Sequence, residues 1–176
     1  MSAVLAAPDA AMAPAAARDV AAQVPDPELP MVTLADLGIL RDVTVHGGAV
    51  TVTITPTYSG CPAMREMSHD LRHRLGQAGY PDVTVRTELS PPWSSDWITP
   101  LGRRKLAAAG IAPPNAAGVR GAGPVPLTLT ARSRLVPCPH CGSGQTRETS
   151  AFSGTACKAL YRCADCQEPF EYVKEI

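Results

Sequence analysis

The sequence predicts an α+β chain in two parts, a small α/β sandwich followed by a second, small β-ribbon domain. Three observations predict this. Residues 39–55 read as two strands facing each other across Gly47-Gly48, residues 62–78 carry one apolar stripe at helical spacing, and two Cys-x-x-Cys pairs stand near the C-terminal end. A strand repeats every second residue and a helix every 3.6, so the two patterns call for different backbones.

Residues 1–13 are rich in alanine and interrupted by Pro8, and they are expected to be disordered. A short helix is expected over 15–24, ended by Pro25-Asp26-Pro27, because proline disfavours a helical residue before it. An extended segment near 32–34 and a strand over 39–46 follow. Gly47-Gly48 suits a two-residue hairpin turn, and the returning strand over 49–55 alternates Val50, Val52 and Ile54 with Thr51, Thr53 and Thr55. The helix over 62–78 aligns Met64, Met67, Leu71, Leu75 and Ala78 on one face, and Gly79 ends it. A third strand over 83–89 completes a sandwich over residues 14–90.

Residues 91–111 form a turn-rich segment holding both tryptophans, Trp93 and Trp97, then a short helix opened by Thr99-Pro100 and closed by Gly110. Two tryptophans this close in a proline-flanked turn suit a docking anchor, or else a cover for one edge of the sandwich. Residues 112–132, rich in proline and glycine, read as a linker, and 133–176 as the ribbon.

Composition narrows the function classes. Sixteen acidic residues balance sixteen Lys and Arg, so no basic field is present to hold nucleic acid. No stretch approaches the roughly 18 apolar residues of a membrane helix, and the N-terminus lacks the cationic start of a secretory signal. The chain is therefore expected to be soluble and cytoplasmic. It carries no Rossmann glycine fingerprint.

Cys138, Cys141, Cys163 and Cys166 form two Cys-x-x-Cys knuckles separated by twenty-one residues, enough for a hairpin that brings them together. Two intervening residues suit two thiolates on one metal and fit a structural disulfide framework poorly, which favours a reducing compartment. Four tetrahedral thiolates suit structural Zn²⁺, with iron ranked below it. A segment this short needs the metal's binding energy to fold. His140 reads as a loop residue inside the first knuckle, and Cys157 as a small packed residue rather than a fifth sulfur.

Cys61 precedes Pro62 and is expected at the helix N-cap, where free N–H groups would stabilise a thiolate. A reactive or metal-binding thiolate and a buried apolar filler are equally supported by position alone. His69 and His73 read as a polar helix face, and Asp26 and Glu28 as turn and capping residues.

Three motifs then carry a resemblance: Asp26-Pro27-Glu28-Leu29-Pro30, Asp36-Leu37-Gly38-Ile39, and Thr55-Pro56-Thr57-Tyr58-Ser59-Gly60-Cys61-Pro62. They resemble the MIP18-like (DUF59) domain of iron–sulfur assembly factors. Trp93-Ser94-Ser95-Asp96-Trp97-Ile98, Gly102-Arg103-Arg104-Lys105-Leu106, Gly110-Ile111-Ala112-Pro113-Pro114 and Cys157-Lys158-Ala159-Leu160-Tyr161-Arg162-Cys163 are similar to the PaaD family of phenylacetyl-CoA epoxidase systems. The resemblance implies a MIP18-like sandwich with a zinc ribbon, and an accessory or maturation role in aerobic phenylacetate catabolism without catalysis by the chain itself. It implies that Cys61, with Asp26 and Glu28 behind it, holds or passes iron or an iron–sulfur cluster transiently, as a metallochaperone would. The implied partners are the di-iron oxygenase and reductase subunits of the epoxidase and the iron–sulfur assembly machinery. One such cysteine per chain is too few for a cluster, which favours a homodimer or a site shared with a partner. The competing reading is a non-catalytic structural component that docks through the ribbon and Trp93/Trp97.

Overall fold

The computed structural model describes residues 14–115 and 135–175. The chain divides into two compact units, Met1–Trp93 and Ser94–Ile176. The expected disorder of residues 1–13 and most of the expected linker lie outside the described residues.

In the first unit, α1 (Pro14–Ala22) buries Ala17 and Ala21, one turn apart, and their small side chains let the helix lie close against β1 and α2. Strands β1 (Leu40–His46) and β2 (Ala49–Ile54) pair antiparallel. Gly47 and Gly48 join them at φ 58° and 87°, the two left-handed positions that a tight hairpin turn requires. Helix α2 (Met64–Gln77) then crosses over to β3 (Asp82–Thr87), which runs parallel to β2, giving the order β1-β2-β3. Met67, Leu71 and Leu75 of α2 are buried with Val43, Val50, Val52 and Ile54 of the sheet. Each such side chain contributes about 1.5–3 kcal/mol on burial. β3 ends at Thr87, two residues short of the expected Leu89, which is 56% exposed.

Residues 25–39 are irregular yet firmly held. Asp26 N–H donates to the Val32 carbonyl and Leu34 N–H to the Val24 carbonyl, each at 2.9 Å. Thr33 and Asp36 exchange bonds, each side chain accepting from the other's backbone N–H at 3.1 Å. The loop places Leu37 where its carbonyl accepts the Trp93 indole N–H at 2.9 Å. Trp93 is 3% exposed and closes the first unit's core. This corrects its assignment as a docking residue: an indole whose ring and N–H are both satisfied inside has nothing left to offer a partner.

The second unit begins with a 3₁₀ turn at Ser95–Trp97, followed by α3 (Pro100–Ala108), capped by Thr99 Oγ1 accepting from Gly102 N–H at 2.9 Å. Trp97 is partly buried in that turn. The guanidinium of Arg103 donates to the Ser95 carbonyl at 2.8 Å and to the Pro114 carbonyl, joining the turn to the chain beyond α3. Strand β4 (Ile111–Ala112) pairs parallel with β7 (Pro169–Val173), and β6 (Lys158–Cys163) and β5 (Thr146–Ser150) complete the order β4-β7-β6-β5. Residues 94–115 thus belong to the second unit, whose start at Ser94 lies three residues beyond the expected boundary at 91; Ala112, expected to open the linker, is paired with β7, and the boundary expected at 133 lies outside the described residues. Ala112 ends a strand that pairs along the edge of β7, and it is 1% exposed beside Val136, Tyr161, Phe170 and Tyr172. Tyr161 stacks on Phe170 at 5.9 Å and meets Tyr172 edge-on at 5.4 Å.

Candidate metal centre and the Cys61 loop

The ribbon brings its four paired cysteines to one point. The sulfurs of Cys138, Cys141, Cys163 and Cys166 all lie within 4.8 Å of one another. Cys138 and Cys166 approach to 3.7 Å and Cys141 and Cys163 to 3.6 Å, each pair joining the two knuckles. These separations exceed a disulfide bond of about 2.05 Å. They match the edge of about 3.8 Å expected of a sulfur tetrahedron around a zinc ion at about 2.3 Å. The donor set therefore fits the metal that the spacing predicts. Cys138 and Cys163 are buried while Cys141 is exposed, so the centre sits at the edge of the ribbon core.

The knuckles are built alike. Cys138 N–H donates to the Ser143 carbonyl at 2.8 Å, and Cys163 N–H donates to the Glu168 carbonyl at 3.0 Å, five residues on in both cases. The residue after the second cysteine is left-handed in each: Gly142 at φ 75° and Gln167 at φ 64°. Glycine accepts that conformation without strain, whereas glutamine is held there with its side-chain amide donating to the Ala164 carbonyl. Ser143 Oγ donates to Asp165, fastening one knuckle to the other. Comparing the two knuckles residue by residue would have pointed to Gln167 from the sequence; the Ser143–Asp165 link needed the fold.

Backbone N–H groups also aim at sulfur. The N–H groups of Cys166 and, secondarily, Asp165 favour the Cys163 thiolate against the cost of burial and lower it to about 7. Cys166 receives the Glu168 N–H, yet burial and the adjoining sulfurs push it up to about 12, and Cys141 is raised as well. Four thiolates repel one another, so a divalent cation is what lets all four ionise together.

His140 does not join this group. Its ring lies against Gly110, where an added Cβ would come within 2.9 Å of Cε1. Cys157 also stays outside it, with Sγ 3.1 Å from Thr155 Oγ1. Lys158, 7% exposed at its side chain, pairs with Glu171 at 2.8 Å. Glu171 is held below the usual carboxylate range: burial opposes this, and the Lys158 ammonium and the Ser153 hydroxyl outweigh it.

In the first unit, Cys61 lies on the loop between β2 and α2, partly buried. The N-cap position goes to Ala63, not Cys61, because Pro62 and Ala63 form a preceding turn before α2 starts at Met64. Cys61 N–H donates to the Tyr58 carbonyl at 3.2 Å, and its carbonyl accepts from Met64 N–H at 3.5 Å. Asp26 is buried and its Oδ1 accepts from the N–H groups of Glu28 and Leu29, both at 2.9 Å, a turn-forming role. Glu28 is exposed. Among the described residues, the ribbon cysteines are the one group of three or more His, Cys, Asp or Glu ligand atoms gathered together; Cys61, Asp26 and Glu28 do not form another. No described helix is long and apolar enough to cross a membrane.

Comparison with known proteins separates the same two parts. Residues 14–86 match the family described as iron-sulfur cluster assembly protein, and residues 122–174 match the PaaD zinc beta ribbon domain. The first unit and the four-cysteine centre thus define an iron–sulfur assembly domain joined to a zinc ribbon. The chain is 43% identical over 155 residues to the putative D component of the 1,2-phenylacetyl-CoA epoxidase of Escherichia coli, covering 86% of this chain and 87% of that one. It belongs to that epoxidase-component family. It is also 36% identical over 76 residues to the Fe-S protein maturation auxiliary factor of Porphyromonas gingivalis, covering 42% of this chain and 71% of that one. Among solved structures, a DUF59 domain from Bacillus anthracis is 27% identical with a TM-score of 0.46, covering 51% of this chain and 86% of that chain.

Proposed function

We propose that this protein is a non-catalytic maturation factor for a phenylacetyl-CoA epoxidase, passing iron or an iron–sulfur cluster to another component of that complex through Cys61. One observation carries the reading: the part of the chain that matches iron–sulfur assembly proteins presents Cys61 on the loop between β2 and α2. The E. coli relative's name supplies the client. A thiol on a loop braced by a rigid sheet and helix can hold a soft metal and surrender it. The transfer is ligand exchange. An iron–thiolate bond to Cys61 gives way to a bond from the client, with no net oxidation or reduction. Asp26 supports the site by shaping the 25–39 loop, and a cluster would take its remaining ligands from a second copy or the client.

In the ribbon, Cys138, Cys141, Cys163 and Cys166 would hold Zn²⁺, which when bound supplies folding energy rather than reactivity. With Trp93 in the core, the alternative of a purely docking component loses one of its two anchors and rests on Trp97 and the ribbon. Cys61→Ser separates the readings. Serine keeps the size of the side chain, so the fold should persist by circular dichroism, while epoxidase co-produced with the variant should lack metal in one of its other components. Fully metallated, active epoxidase from that strain would remove Cys61 from the mechanism and leave the docking role ahead.

A further inference from the structure

Helix α2 turns Met67, Leu71 and Leu75 inward, which puts His69 and His73 on the opposite, solvent-facing side. The two are four residues apart, one turn along the helix, the spacing at which a helix offers two imidazoles to one cation. Their rings are stacked, 6.1 Å between centroids and within 5° of parallel. The one-turn spacing sets this alignment and holds the two imidazoles side by side.

We propose that His69 and His73 form a second, exchangeable site for a borderline divalent transition-metal ion, distinct from the ribbon centre. Two imidazole nitrogens suit zinc, copper, nickel or iron rather than magnesium or calcium. The three buried side chains of α2 fix the helix before any metal arrives, so the ordering cost of bringing two ligands together is already met. Small rotations of the two exposed rings bring their nitrogens onto one ion. Water fills the other positions, which makes the ion labile, suited to transit rather than to structure. Arg65, Arg72 and Arg74 on this helix outnumber Glu66 and Asp70, so the local charge opposes a cation and the nitrogens, not the field, set the affinity. One group competes: the Gln77 amide nitrogen lies 3.0 Å from His73 Nε2, the atom a metal would take.

The test uses the full chain already carrying one equivalent of zinc. Further Zn²⁺ is added in a calorimeter, with the histidine ring resonances followed by NMR. A second equivalent should bind, and the His69 and His73 signals should shift together. His69→Ala and His73→Ala should each weaken that step at least roughly tenfold, the loss expected when a chelate becomes a single ligand. Alanine is a better helix former at both exposed positions, so unfolding will not mimic this loss. Gln77→Ala should strengthen binding by about twofold to fivefold, the worth of one exposed hydrogen bond. Absence of a second equivalent, or one that both histidine substitutions leave in place, would overturn the proposal. An unchanged affinity in Gln77→Ala would overturn His73 Nε2 as the ligand atom.

Discussion

Replacing Gly142 by alanine isolates what the first knuckle asks of its backbone. Gly142 sits at φ 75°, and a Cβ built there meets nothing within 4 Å, so the cost is conformational and not steric. A left-handed L-residue costs about 1–2 kcal/mol. Reducing the freedom of the unfolded chain returns about 0.4–1 kcal/mol, leaving a net loss near 1 kcal/mol. In a metal-dependent ribbon, folding and metal binding are one equilibrium, so this loss should appear as about fivefold weaker zinc binding. Gln167, its counterpart at φ 64°, provides the control. Gln167→Gly relieves a similar strain but gives up the bond to the Ala164 carbonyl, worth about 0.5–1.5 kcal/mol, so the affinity should stay within about twofold. Competition against a colorimetric zinc chelator measures both. Gly142→Ala within twofold of the parent would refute the argument, since the conformation would then not be demanded by the metal-bound fold. A hundredfold loss would refute it equally, by showing that more than one backbone position collapses.

Other consequences follow from the same contacts. Stripping zinc with a chelator should release the amides of Ala112 and the β6–β7 ladder to hydrogen exchange while the β1-β2-β3 sheet stays protected, because β4 is paired to β7 and the first unit has its own core; protection at β4 after metal loss would contradict this. Trp93→Ala should destabilise the first unit by about 3–5 kcal/mol in a denaturant titration, as loss of a buried indole does elsewhere; an unchanged midpoint would return Trp93 to the surface. Glu171 has a depressed folded pKa against an ordinary 4.5, so its stabilisation is complete above about that pH and is lost as pH falls through the lower folded value. Glu171→Ala should cost about 3–5 kcal/mol at neutral pH by leaving the Lys158 ammonium buried and uncompensated, and should flatten that acid limb; a variant of parental stability would show that Lys158 finds water.

Much of this protein was legible in residue order because the deciding forces are local. The Gly47-Gly48 hairpin, the Val/Thr alternation of β2, the Met67–Leu71–Leu75 stripe and the two Cys-x-x-Cys knuckles each depend on neighbours within a few positions, and each is where the pattern put it. Thr99-Pro100 likewise marks the start of α3. Tertiary structure decided what no local pattern encodes. Trp93 and Trp97 look equivalent in the chain, yet Trp93 donates to the Leu37 carbonyl, fifty-six residues away, and is core, while Trp97 is partly buried. Ile111 and Ala112 follow a glycine and precede prolines, and the sequence reads the boundary between a turn-rich segment and a linker there. The two residues are a strand because they pair along the edge of β7. Cys61 moved from N-cap to loop because Pro62 starts a turn that the helix joins later, at Met64. Local propensity names the element, while the partner that satisfies its hydrogen bonds and covers its apolar side is supplied by the remote chain. Trp93 and Ala112 were misjudged because their partners lie far along the chain, and Cys61 because a local turn precedes the helix.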